Sequence, residues 1–233
     1  MRTIEVCLTP ELIHQHNLEG RVVVVVDIFR ATSCIVTGLA GGVKSIRPVR
    51  EIEETKALGQ EGYIMAGERG GEKVDGFDIG NSPFEYQDEA IKGKRVAIST
   101  TNGSQAILKS DGASQILIGA FLNLESLVEY LVQLPQSVVI HCAGWKGTPN
   151  LEDTLFAGAL IDEVMEELMP LGDSALIAHW LYVSAHENLL GVALDSSHAK
   201  RLKDFGIKED LEFCMENSKY QVVPKLVGKE LVI

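Results

Sequence analysis

Positive charge is what this chain has least of: 21 Lys and Arg stand against 33 Asp and Glu, a formal net charge of -12 at pH 7. A field of that sign repels polyanions and offers no basic stripe to a phosphate backbone, so no nucleic-acid partner is expected. A small anionic ligand stays open, because a few arginines, backbone N–H groups and a divalent cation can reverse the field locally. Long apolar runs are missing as well. None approaches the roughly 18 residues that a membrane helix needs, and Met1 to Leu8 is too short for a signal peptide; a cytoplasmic protein with no membrane partner is predicted. The four cysteines, Cys7, Cys34, Cys142 and Cys214, form no C-x-x-C pair. Three lie in apolar surroundings, where a reduced thiol packs as a small hydrophobe, and a reducing compartment fits them.

Several chemistries also lack their motifs. His14, His16, His141, His179, His186 and His198 are scattered with no zincin spacing, which argues against a zinc site. No Gly-x-Ser-x-Gly elbow occurs, the glycines of 67–71 do not spell Gly-x-Gly-x-x-Gly, and no loop ends in the Gly-Lys-Ser/Thr of a Walker A motif. No block of Pro, Ser or Gln marks a disordered linker. With 233 residues and a hydrophobic fraction of 45%, the chain can bury a substantial core. One domain over 1–233 is expected, with 174–233 as a candidate helical subdomain. A homo-oligomer is compatible with such a chain, and no segment identifies its interface.

What is present is an alternation. Short apolar runs at 4–8, 22–28, 45–49, 63–66, 95–99, 115–120 and 138–142 are separated by segments with helical spacing at 31–40, 52–58, 103–109, 124–133 and 151–168. That pattern predicts a three-layer α/β/α fold with a mostly parallel sheet. From about residue 174 the strand signal fades. Helices are expected at 175–190, 197–205 and 209–217, with Gly206 as a left-handed stop. Ser82-Pro83-Phe84-Glu85 reads as a helix start with a capping box.

Chemistry-bearing residues follow the strands. Val22 to Val26 lack polar alternation, as in a strand covered on both faces, and run straight into Asp27 and then Arg30. Parallel sheets bind ligands at their carboxyl ends, which makes these two residues the start of a candidate active site; helix capping by Asp27 is the structural alternative. After 63–66 comes a loop rich in glycine and charge, in which Glu68 and Asp78 offer hard oxygen ligands and Arg69 and Lys73 offer anion contacts. After 95–99, Thr100, Thr101, Asn102 and Gly103 open a helix and suit a phosphate or sulfonate, or serve as ordinary caps. After 138–142, Glu152 and Asp153 open a long helix behind Asn150, where they either complete a metal site or favour the helix dipole. All these clusters are expected along one edge of a parallel sheet.

At these residues the chain resembles the 2-phosphosulfolactate phosphatase family. The resemblance rests on Val-Asp-Ile-Phe-Arg-Ala-Thr at 26–32, Gly-Glu-Arg-Gly-Gly at 67–71, Gly-Phe-Asp-Ile-Gly-Asn-Ser-Pro at 76–83, Thr-Thr-Asn-Gly at 100–103 and Leu-Glu-Asp at 151–153. His198, Arg201-Leu202, Gly206, Asp210-Leu211, Cys214 and Val223-Pro224 extend it, whereas Ala199 and Lys200 depart from it. It implies a magnesium-dependent phosphatase on a route to coenzyme M, acting on a three-carbon substrate that bears phosphate, carboxylate and sulfonate. Magnesium keeps several waters and needs only one or two carboxylates, drawn from Asp27, Glu68, Asp78 and Asp153, with Asp27 and Glu68 favoured. Arg30, Arg69 and Thr100 to Gly103 would then hold phosphoryl oxygens, and Lys73 and Arg201 the distal anion. Two mechanisms fit: attack by water, with Asp27 or Asp153 taking its proton, or attack by Asp27 itself. Aspartyl phosphatases of the haloacid dehalogenase type carry a second aspartate two residues on; Phe29 stands there, which favours water. A phosphatase for another small phosphorylated acid, or a non-catalytic sensor of an anionic metabolite, are the competing readings.

Overall fold

In the computed structural model, which describes residues 1–203 and 206–233, the alternation becomes a mixed sheet of eleven strands among the described residues. The strands are β1 (Thr3–Cys7), β2 (Val22–Val26), β3 (Ser45–Pro48), β4 (Ile64–Arg69), β5 (Glu72–Lys73), β6 (Arg95–Ser99), β7 (Gln115–Gly119), β8 (Val138–Cys142), β9 (Met169–Pro170), β10 (Lys225–Val227) and β11 (Glu230–Val232). The helices are α1 (Ala31–Ala40), α2 (Ile52–Gln60), α3 (Gly103–Lys109), α4 (Leu124–Val132), α5 (Leu151–Val164), α6 (Asp173–Ala185), α7 (Leu189–Leu194), α8 (Ser197–Lys203) and α9 (Lys208–Cys214). The expected helix over 197–205 is thus met as far as Lys203; Asp204 and Phe205 lie outside the described residues. Gly206 takes φ +72°, as a left-handed stop requires. The α/β class and the helix-covered, mostly parallel sheet are those expected from the pattern.

The five valines of β2 are fully buried. β2 pairs in parallel with β7 on one side and β8 on the other, with Val26 opposite both Gly119 and Cys142, and α3 and α5 pack on it. An apolar run without polar alternation is what such a strand needs, and each buried valine contributes roughly 1.5–3 kcal/mol of hydrophobic stabilisation.

The sheet order is β5-β4-β6-β3-β11-β10-β7-β2-β8-β1-β9. β4, β6 and β3 form one parallel block, and β7, β2, β8, β1 and β9 another. Between them stands the C-terminal hairpin, antiparallel within itself and to both neighbours. Three successive antiparallel pairings leave the two blocks running in opposite senses. This corrects the expectation of one parallel edge; the expected C-terminal helices are present, and the hairpin follows them. The hairpin escapes pattern reading because each strand has three residues, too few for a periodicity.

The helix expected at Ser82 is absent: a short 3-10 turn, Glu85–Gln87, stands in its place. The capping-box residues have other partners. Ser82 Oγ donates to Asp210 Oδ1 at 3.0 Å, and Glu85 Oε2 accepts from the Gly80 N–H at 2.8 Å. No helix among the described residues is long and apolar enough to cross a membrane.

Candidate active site

Loops leaving the carboxyl ends of β2, β4 and β6 converge although their blocks run oppositely. Gly103, at the start of α3, lies so close to the β2 loop that a Cβ there would stand 2.6 Å from Ala31 Cβ and 2.7 Å from Asp27 Oδ2. Any side chain at 103 would displace the carboxylate. Glu68, near the end of β4, ties the other two loops together: Oε1 accepts from the Thr101 N–H at 2.7 Å and Oε2 from the Gly71 N–H at 2.8 Å. The result is a cleft, partly open to solvent, with Asp27, Arg30, Glu68 and Asn102 in its walls.

Asp27 is buried and its carboxyl is pushed up to about 6. Burial is the main cause; His198 opposes it, and the charges of Glu68 and Glu152 add to it. Arg30 is 4% exposed, and its Nη1 forms a buried ion pair with Asp210 Oδ2 of α9. Its Nη2 donates to the Gly71 carbonyl at 3.1 Å.

Arg201, on α8, also lines the cleft, with its guanidinium 4.7 Å from the centre of the Trp145 ring. Arg201 Nη2 is buried without a partner among the described residues. The same holds for Asn81 Oδ1, in the cleft wall, and for Thr101 Oγ1 beside it. Buried polar atoms are normally paired; of these three, Arg201 Nη2 and Asn81 Oδ1 belong to residues of the cleft wall and are open to a polar ligand there.

Other expected site residues are placed elsewhere. Asp78 is exposed, and its Oδ2 accepts from the Met65 N–H at 2.8 Å, back on β4; it does not line the cleft. Lys73 is exposed on β5 and reaches the Asp78 carbonyl at 3.4 Å. Arg69 clamps strands together, donating to the carbonyls of Glu68, Ser99 and Arg50 and to Ser99 Oγ. Thr100 is spent on the start of α3: its N–H donates to Ser104 Oγ and its Oγ1 accepts from the Ser104 N–H, both at 3.0 Å. There the capping alternative describes the residue. Asp153 is fully buried, with Oδ1 accepting from the Ile28 N–H at 2.9 Å and Oδ2 from the Gly144 N–H at 3.2 Å. Burial and the neighbouring Glu152 and Asp27 hold its carboxyl well above the usual range. It fastens the β2 loop to the β8 loop behind the cleft rather than facing into it.

Sequence reasoning gave no site role to Asn81, Trp145 and His198, which line the cleft wall, or to Asp210 behind it; Glu152, expected as a metal ligand or a helix-dipole residue, lies behind the wall against His198. His198 Nδ1 lies 2.6 Å from Glu152 Oε1, and the Asn150 amide lies 3.2 Å from the same nitrogen. Asn150 therefore does not cap α5 with its side chain, as expected, but faces the ring. Trp145 stacks on His198 with ring centres 6.1 Å apart.

An α/β fold with a cleft of arginines and carboxylates at strand ends defines a class: proteins that bind and process small anions. Residues 7–229 match the family model described as 2-phosphosulpholactate phosphatase, and the chain belongs to that family. It is 39% identical over 216 residues to a protein of Thermotoga petrophila and 40% over 216 residues to one of Thermotoga maritima, with 93% of each chain covered in both comparisons. A protein of Clostridium acetobutylicum is 36% identical over 235 residues, covering 98% of this chain and 99% of its own. All three relatives bear the name probable 2-phosphosulfolactate phosphatase.

Proposed function

We propose that this protein hydrolyses 2-phosphosulfolactate to sulfolactate and inorganic phosphate, with magnesium as cofactor. The observation that carries the reading is a single cleft in which the buried carboxylates of Asp27 and Glu68 share walls with the guanidinium groups of Arg30 and of Arg201, whose Nη2 has no partner among the described residues. The names of the relatives support it. Phosphoryl transfer is helped chiefly by fixed positive charge at the three non-bridging oxygens. A guanidinium carries five N–H donors; Arg30 commits one through Nη1 to Asp210 and one through Nη2 to Gly71, so it retains donors for an anion, as does Arg201.

Of the two carboxylates that could take the proton of an attacking water, Asp27 lines the cleft and Asp153 does not. The residues present fit magnesium. Among the described residues no group of three or more metal-ligating side chains is assembled, but Asp27 and Glu68 supply two hard carboxylates, all that the ion requires beside water and substrate oxygens. Those two would hold it, and when bound it would withdraw charge from the phosphoryl oxygens. A role on a route to coenzyme M belongs to the same proposal, as does a cytoplasmic location, which four free, buried cysteines support.

The test is inorganic phosphate release from 2-phosphosulfolactate, with magnesium and with chelator, against phospholactate and phosphoglycerate. Magnesium-dependent release with preference for phosphosulfolactate is expected. Preference for a competitor rejects the substrate, and no release from any of them by folded protein replaces the phosphatase with a metabolite-binding protein.

A further inference from the structure

We propose that His198 is the proton donor to the leaving oxygen of the substrate, with Glu152 as the residue that positions it. The inference rests on the phosphatase reading and goes beyond it by assigning the second proton transfer.

The geometry is that of an oriented imidazole. Glu152 is fully buried on α5, and its one hydrogen-bond partner among the described residues is His198: Oε1 lies 2.6 Å from Nδ1, while Oε2 has none. A carboxylate oxygen only accepts, so Nδ1 carries the hydrogen, the Asn150 amide 3.2 Å away turns its oxygen to that hydrogen, and Nε2 is the nitrogen left to exchange a proton. Nε2 makes no hydrogen bond to the described residues, and the ring lines the cleft together with Asp27. Trp145 stacks on one side of the ring and Phe29 meets it edge-on at 6.3 Å, so its orientation is fixed by packing as well. Arg201 of the same helix, Asp27 and Arg30 of the β2 loop and Glu68 of β4 are the charged groups that share the cleft with it.

Stability alone does not account for the pair. A buried carboxylate with an unpartnered oxygen costs folding free energy, and the one polar contact of this one among the described residues is to the ring. The carboxylate holds the ring through Nδ1 and leaves Nε2 for the transfer.

The step balances. Water oxygen bonds to phosphorus and gives its proton to Asp27, while the bond from phosphorus to the C2 ester oxygen breaks. That oxygen takes the Nε2 proton of His198 and leaves as the hydroxyl of sulfolactate. Solvent then removes the proton from Asp27 and restores the one on His198.

A leaving-group comparison tests the assignment, because a proton donor matters only to a leaving oxygen that needs protonation. The wild type, His198→Gln and Glu152→Gln are assayed on 2-phosphosulfolactate and on its 3,3-difluoro analogue, whose alkoxide is stabilised without it. Loss of a general acid costs about 10²–10⁴-fold in kcat. That loss is expected for His198→Gln on the parent ester, a loss at least about tenfold smaller on the analogue, and the same ordering at smaller size for Glu152→Gln. The ratio between the two substrates does not depend on how much variant protein is folded. Equal losses on both esters, or none, overturn the assignment. If the wild type releases phosphate from neither ester, the phosphatase reading falls and this inference with it.

Discussion

Replacing Asp210 by alanine removes the carboxylate that faces the Arg30 guanidinium. The two side chains are 4% and 8% exposed, so water neither screens the pair nor replaces the lost partner. Breaking a pair of this kind from one side costs about 3–5 kcal/mol, because a charge is left buried and uncompensated. Arg30 keeps only the Gly71 carbonyl, and Ser82 Oγ loses its acceptor too. At roughly 2–4 °C per kcal/mol for a chain of this size, the thermal midpoint falls by the order of 10 °C. Removing both charges, as in Arg30→Met with Asp210→Leu, is far gentler, since an apolar pair of similar volume replaces the ion pair at little cost. Denaturant unfolding of the wild type, both single variants and the double variant closes a thermodynamic cycle. A coupling energy of about 2 kcal/mol or more is expected for residues joined this way. Additive singles, or an Asp210→Ala loss under about 1 kcal/mol, would refute the claim that this pair fastens α9 to the β2 loop.

His141, fully buried in β8 with Nδ1 2.8 Å from Ser110 Oγ, is held down to about 3 by burial. The folded state therefore binds fewer protons than the unfolded one below the ordinary value of 6.5, and stability present above that pH is lost as it falls. At about 1.4 kcal/mol per unit, going down to about pH 5 costs roughly 2 kcal/mol. Unfolding free energies of wild type and His141→Leu should converge by that amount over this window; a constant difference contradicts the burial argument. Gly103→Ala forces a methyl into contacts of 2.6 and 2.7 Å, so a loss of about 1–3 kcal/mol is expected together with a lower rate of phosphate release, read by calorimetry and by activity below the transition. Unchanged values for both would mean that the α3 and β2 loops are not locked together.

The legible part of the molecule was the part with local signals. The run Val22 to Val26 ending in Asp27 could be read because a doubly covered strand must be apolar throughout, and the first polar residue after it must sit at the sheet's edge. Partners far apart in sequence could not be read. Arg30 and Asp210 are 180 positions apart and Glu152 and His198 are 46 apart, and only the folded chain brings them together. The loop of 67–78 misled for a related reason. Charges crowd it, but Arg69, Lys73 and Asp78 turn to nearby backbone groups, and composition does not say whether a charge faces a ligand or its own chain. Thr100 and Asn150 show capping expectations decided in opposite ways: Thr100 caps α3 through Ser104, whereas Asn150 turns from α5 to the His198 ring.

The central claim is that the cleft around Asp27 hydrolyses a phosphate ester, and phosphate release by Asp27→Asn beside the wild type tests it most directly. The wild type should release phosphate from 2-phosphosulfolactate with magnesium. The folded variant should lose about 10²-fold or more, the scale of a missing proton acceptor. A variant that keeps the wild-type rate would place the chemistry outside this cleft.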